Sequence, residues 1–383
     1  MNKTIMSKFK AIIADFSKTF HDEYDGHRVA SPLGAWMLLA YVAVEHPNPS
    51  EKLIQRLGCS TAEAKEILAV LMDDKPAVLA AAINAWVSPD NGNFPSVQHW
   101  VKSAQGVGEI QIKTPDAEEL DAWTKENSLG LMEKFPLEIQ PDNFVSLFAT
   151  MLATKIDWET PFEVFPNTVM VEQWKQEKFL QEPNTSGDNI SFYEDETGLY
   201  AIHEAANADT SLSVLSVIAV DPETPEADVM AVARKAASED IANVSYRSLD
   251  ILTDTLRVED IRTAAKKDTF VTSLPAWKTD NLYRISESET LAFVDVADRF
   301  NDFDMFMTAV QVSVAEYNRT GFEAAALTTM LIGVRSVPAM SMKKRVILNF
   351  NHPYAVVAVV RTGTWDGVPV FDGWISEATE VKE

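Results

Sequence analysis

The groups that could do chemistry in this 383-residue chain are six histidines, one cysteine and 57 acidic side chains, and their spacing argues against most catalytic uses. His21, His27, His46, His99, His203 and His352 are scattered; none forms an i, i+4 pair, and none joins Cys59 at metal-ligand spacing. A zinc site or a His-x-x-x-His helix face is therefore not expected. There is no Gly-x-Ser-x-Gly elbow, no phosphate-binding glycine loop and no isolated carboxylate pair. Acidic runs such as Glu194-Asp195-Glu196 have the character of solvated turns. What does stand out is a run of small residues, Gly321-Phe322-Glu323-Ala324-Ala325-Ala326-Leu327-Thr328-Thr329, fourteen positions ahead of Arg335-Ser336.

The elements around that run decide what it is. By composition, residues 322–334 could be an alanine-rich helix with Phe322, Ala325, Ala326, Thr329 and Met330 on one face. Context points instead to an exposed loop. The alternating stretch Val310–Tyr317 predicts a strand directly before it, Gly333 and Pro338 interrupt the segment, and a strand pair follows. That pair is Tyr354–Arg361 and Val368–Phe371, joined by a turn through Gly363 and Gly367. Earlier, Ser211–Val220 alternates and is β-branched enough to be a strand, whereas Ala80–Val87 is ambiguous by periodicity. The first third is helical in pattern. Ile5, Phe9, Ile12, Ile13, Phe16 and Phe20 describe an amphipathic helix, Ser31-Pro32 sets a helix start, and Ser60-Thr61-Ala62-Glu63 has the form of a capping box. Helices early and strands late predict an α+β chain.

Apolar residues make up 46% of the chain and the net charge is −24, which suits a folded protein and disfavours nucleic acid or an anionic membrane surface as partner. The densest basic run, Lys343-Lys344-Arg345, is too short to track phosphates. One cysteine cannot form an intrachain disulfide, so packing and backbone pairing must stabilise the fold. No signal-peptide pattern or bilayer-length apolar run is present, an expectation compatible with the cytoplasm or with a secreted protein whose signal has been removed. With no repeat or linker, residues 1–383 are expected to form one domain.

Six segments, in order, resemble the serpin family and together cover most of the chain. Ser31-Pro32-Leu33 is similar to the start of the family's second helix, and Asn84-Ala85-Trp86-Val87 to the strand that opens its main sheet. Residues from Trp123 to Lys134 resemble the helix crossing that sheet and the turn after it; those from Phe148 to Phe162 resemble the strand leading to the family's buried tryptophan, here Trp158. Gly321 to Thr329 matches the hinge, and Phe350-Asn351-His352-Pro353-Tyr354 with Phe371-Asp372-Gly373 matches the C-terminal strands. By this resemblance the chain is identified as a serpin of prokaryotic type lacking disulfides.

The resemblance implies a fold with a large, mostly antiparallel central sheet, two further sheets, about nine helices and an exposed reactive-centre loop. Residues 321–349 would be that loop and the segment after it. It also implies a serine protease inhibitor that has no catalytic residue, metal or cofactor and acts as a monomeric suicide substrate. A protease attacks the loop, which inserts into the central sheet and traps the covalent acyl-enzyme. Counting at the family's interval from Gly321 puts the reactive bond at Arg335-Ser336. Arginine there implies a trypsin-like partner, because guanidinium pairs with a pocket carboxylate through two parallel hydrogen bonds. Lys343, Lys344 and Arg345 also invite cleavage, but cuts there imply turnover, not trapping. The inserted strand would bury Phe322, Ala324, Ala326, Thr328, Met330 and Ile332. Phe322 is large for that face; where the site is not shaped for a phenyl ring its admission costs about 1–3 kcal/mol, and slower insertion is expected. Where the family's sheet parts over a polar cluster, Ser31 is kept, Gly34 replaces a serine, Thr150 an asparagine and Gln311 a histidine. Arg319 stands where the family has an acid. The resemblance leaves as alternatives a non-inhibitory serpin that binds ligands or acts as a chaperone, and a loop cleaved as plain substrate.

Overall fold

The computed structural model describes residues 3–138, 146–166, 174, 178–182, 187–239, 241–263, 265–288, 290–297, 300, 309–322 and 340–381. The first part of the chain is helical: α1 (Lys3–His21), α2 (Pro32–Ala43), α3 (Glu51–Leu57), α4 (Thr61–Asp73), α5 (Pro95–Ser103) and α6 (Ala117–Asn127). Two more, α7 (Glu226–Ser238) and α8 (Phe293–Ala297), bring the count to eight among the described residues. The start signals act as their residue types dictate. Ser60 and Glu63 form a reciprocal capping box on α4, and Ser31 caps α2 with Pro32 in its first turn. All twelve residues of α2 are buried, which makes it the axis on which the sheets are packed.

One antiparallel sheet has six strands in the order β1 (Arg28–Ala30), β18 (Pro369–Ile375), β17 (Tyr354–Val360), β10 (Leu212–Ala219), β9 (Gly198–Ala206) and β8 (Ile190–Asp195). The β17–β18 hairpin stands where the sequence pattern predicts one, and α7 packs across β10 and β17. A second sheet runs β11 (Leu256–Thr263), β16 (Ser341–Asn349), β12 (Thr269–Leu274), β7 (Lys178–Gln181) and β6 (Glu163–Pro166). Lys343, Lys344 and Arg345 lie within β16, paired with β11; Lys344 reaches Asp260 at 3.2 Å and Arg345 faces Glu259 at 3.8 Å. They belong to a sheet, not to a free loop.

The remaining strands form the sheet that matters most. On one side, β3 (Glu109–Ile112), β2 (Leu79–Val87) and β4 (Ser146–Thr154) are neighbours; on the other, β13 (Trp277–Tyr283) pairs with β14 (Gln311–Tyr317). The ambiguous Ala80–Val87 stretch is thus strand, because β3 and β4 pair with it on both sides. After one intervening residue, Lys155, β4 continues as β5 (Ile156–Asp157). The two-residue strand β15 (Gly321–Phe322) pairs antiparallel with β14 through Tyr317 and with β5 through Ile156 and Asp157. Among the described residues the two halves are therefore joined at one end only. Among the described residues, β4 and β14 share no backbone hydrogen bond. Helix α6 lies across β2 and β4, with Trp123 meeting Trp86 edge-on at 5.5 Å and Leu120 buried against Leu147 and Ala149.

Candidate functional site

The gap between β4 and β14 is built on the N-terminus of α2. Ser31 does three things there: its Oγ accepts the Gly34 N–H (3.1 Å) and donates to the Val370 carbonyl on β18 (2.7 Å), and its backbone is clasped by Gln311. Gln311 Oε1 accepts the Ser31 N–H (3.0 Å), and its Nε2 donates to the Ser31 carbonyl (2.6 Å). From the opposite edge, Thr150 Oγ1 donates to the Gly34 carbonyl at 2.9 Å. One strand edge thus contributes Gln311 and the other Thr150, and both hold the same helix start without bonding each other. Gly34 takes part through its backbone alone. A Cβ at Gly34 would come within 3.3 Å of Ser31 Oγ and 3.5 Å of Gln311 Nε2, so the missing side chain leaves room for the glutamine.

A cavity of about 60 Å³ occupies the gap. Both strand edges line it, Ser31, Gly34 and Leu38 form its floor, and Trp123 with Phe135 covers it. That volume holds a few waters but no side chain of strand size.

The joined end has its own chemistry. The Trp158 N–H donates to the Thr320 carbonyl (3.0 Å), the Phe162 N–H to the Arg319 carbonyl (2.9 Å) and the Trp158 indole to the Asn318 carbonyl (2.9 Å). Asn318 organises the turn: its Oδ1 accepts the Thr320 N–H (3.1 Å), and its Nδ2 donates to the buried Glu316 carboxylate at 3.0 Å. Arg319 contributes a backbone carbonyl to this fastening. Sequence reasoning did not single out Asn318 or Glu316. An Asn three residues before a glycine is a weak turn signal, and the Trp158 indole bonded to its carbonyl comes from a distant segment.

Gly321 is required here by close approach, since a Cβ on it would sit inside the van der Waals radius of the Ile156 carbonyl oxygen. The Phe322 ring is 5% exposed, 6.2 Å from the Trp277 ring and 6.5 Å from Phe371, while Trp277 stacks on Tyr317 at 5.7 Å. In the structure the Phe322 ring occupies an aromatic seat. Glu323, Ala324, Ala325, Ala326, Leu327, Thr328 and Thr329 lie outside the described residues, as do Arg335 and Ser336.

Cys59 is buried, and burial pushes its thiol up to about 11, so it is held as a thiol and not as a nucleophilic thiolate. Among the described residues, no three His, Cys, Asp or Glu side chains converge as a metal site, and no helix is long and apolar enough to cross a membrane.

No protein-family model matches the sequence, and neither does any curated protein. Solved structures do. The thermophilic serpin tengpin in its native state is 17% identical, with 98% of this chain and 94% of that chain covered and a TM-score of 0.70. Serpin48 of the insect Tenebrio molitor, described as highly specific, is 14% identical, with 97% and 98% covered and a TM-score of 0.62. Human thyroxine-binding globulin complexed with thyroxine is 12% identical, with 98% and 100% covered and a TM-score of 0.63. At such identities the likeness is one of fold.

Proposed function

We propose that this chain, whose fold is that of the serpins, is a protease inhibitor consumed in a single encounter. The observation that supports this reading is the divided sheet: among the described residues β4 and β14 share no ladder, and Gly321 and Phe322 pair with β14 and β5 at one end of the gap. A strand continuing from Phe322 would run antiparallel to both edges and could pair with their N–H and C=O groups. The twelve residues from Glu323 to Val334 would extend about 40 Å, enough to pass the nine residues of β4. Their inward set includes Ala324, Ala326 and Thr328, side chains small enough for a close-packed interior.

In the proposed reaction a trypsin-like protease supplies every catalytic group. Its serine oxygen bonds to the Arg335 carbonyl carbon, the Arg335-Ser336 amide breaks, and the amine of Ser336 leaves with a proton from the protease histidine. The Arg335 acyl ester then carries the protease with it if the strand enters before water attacks. Insertion and ester hydrolysis are in competition, and the faster one decides between trapping and turnover.

Mixing the protein with trypsin and resolving the products on a denaturing gel tests this. A band of the summed mass is expected. Clipped chain without that band would contradict trapping, and a chain left uncut would contradict the assignment of Arg335. A ligand-carrying, non-inhibitory role is the second reading, supported by the likeness to thyroxine-binding globulin at a TM-score of 0.63; absence of the summed band gives it precedence.

A further inference from the structure

We infer that Phe322 is a positioning residue that seats the start of the inserting strand before any protease arrives, so the resting molecule has its hinge already latched. The inference rests on the inhibitory reading for its consequence but on independent geometry for its substance. Three observations converge. The backbone of Gly321 and Phe322 is paired on both sides, to Tyr317 and to Ile156 and Asp157. The Phe322 ring is enclosed by Trp277 and Phe371, and Trp277 is itself braced by stacking on Tyr317. The turn leading in is fixed by the Thr320, Arg319 and Asn318 carbonyls accepting from Trp158 and Phe162.

Each of these would be lost if residues 318–322 lifted out. A small residue in place of Phe322 could form the same backbone pairs but would forfeit the ring burial that holds them closed, so the seat is selective for a large apolar side chain. The close approach of Gly321 to the Ile156 carbonyl gives an independent handle on the same latch, because any Cβ there must push β15 away from β5. With the ring seated, insertion begins at Glu323 and not at Phe322, and the bulk of the phenyl group is not an obstacle that the reacting loop has to pass.

Hydrogen–deuterium exchange of the intact, uncleaved protein tests the latch, read on a peptide covering residues 317–322. The parent should show slow exchange there. Phe322→Ala and Gly321→Ala should each speed it at least about ten-fold while leaving the β17–β18 hairpin protected, and Phe322→Leu should stay close to the parent. Free-chain exchange in the parent, or unchanged exchange in both alanine variants, overturns the inference. If an alanine variant fails to fold, the parent rate and Phe322→Leu still decide. The two readings fail separately. Protection that depends on Phe322 in a protein forming no trypsin complex leaves the latch standing and removes inhibition; a trypsin complex formed by a parent exchanging at free-chain rate does the reverse.

Discussion

Ser31 caps α2, donates to β18 and has both of its backbone groups held by Gln311, so three elements depend on a single small residue. Ser31→Ala removes the cap and leaves the Val370 carbonyl without that donor. The expected loss is about 1–2 kcal/mol, seen as a lower urea midpoint at unchanged slope. Ser31, Thr150 and Gln311 were legible in the sequence because a Ser-Pro helix start and the order of family-like segments place them. Asn318 was not: its bonds with Thr320 and Glu316 are local, but the Trp158 indole that fastens its carbonyl comes from 160 residues away in sequence. For Phe322 the residue type was read correctly as large and inward. Nothing local in the sequence predicts that Trp277 and Phe371 wall its seat.

At the scale of elements, a buried polar network ties α1, β1, α7 and β18 together. Asp372 accepts from Ser17 Oγ and from His21 Nε2 (2.9 Å), His21 Nδ1 accepts from Arg28 Nε (3.1 Å), and Arg28 pairs with Glu226. Burial alone would raise the Asp372 carboxyl, but His21, Arg234 and Ser17 more than offset it and hold it below the usual carboxylate value. Because the folded value is depressed, the stabilisation is fully present above the unfolded value of about 4 and is lost as pH falls through the folded one. Asp372→Asn should cost about 3 kcal/mol or more at neutral pH, since it leaves buried cationic partners uncompensated. The gap between parent and variant urea midpoints should narrow below about pH 4; a gap independent of pH would contradict the network account. Of the elements themselves, the β17–β18 hairpin, β10 and the α4 capping box were legible because alternation and capping are local signals. The helix over the sheet runs Ala117–Asn127, earlier than the Trp123–Lys134 segment suggests, because Asp116 caps it by accepting the Glu119 N–H at 2.8 Å. Ala80–Val87 gave no periodic answer because it is buried along most of its length, and only its neighbours make it a strand.

At the scale of the whole molecule, one sheet is divided between β4 and β14 among the described residues. No sequence signal reports which strands fail to pair, so the gap between β4 and β14 was not readable, although the α+β class and the segment that could fill the gap were. A strand added there would complete backbone pairing along both edges and bury its inward side chains, so the cleaved, inserted state should be much more stable than the intact one. Insertion after cleavage is the central claim, and the melting temperature of the chain before and after a cut at Arg335-Ser336 tests it most directly. The account predicts a rise of about 10 °C or more on cleavage; a melting temperature that stays the same or falls would contradict it.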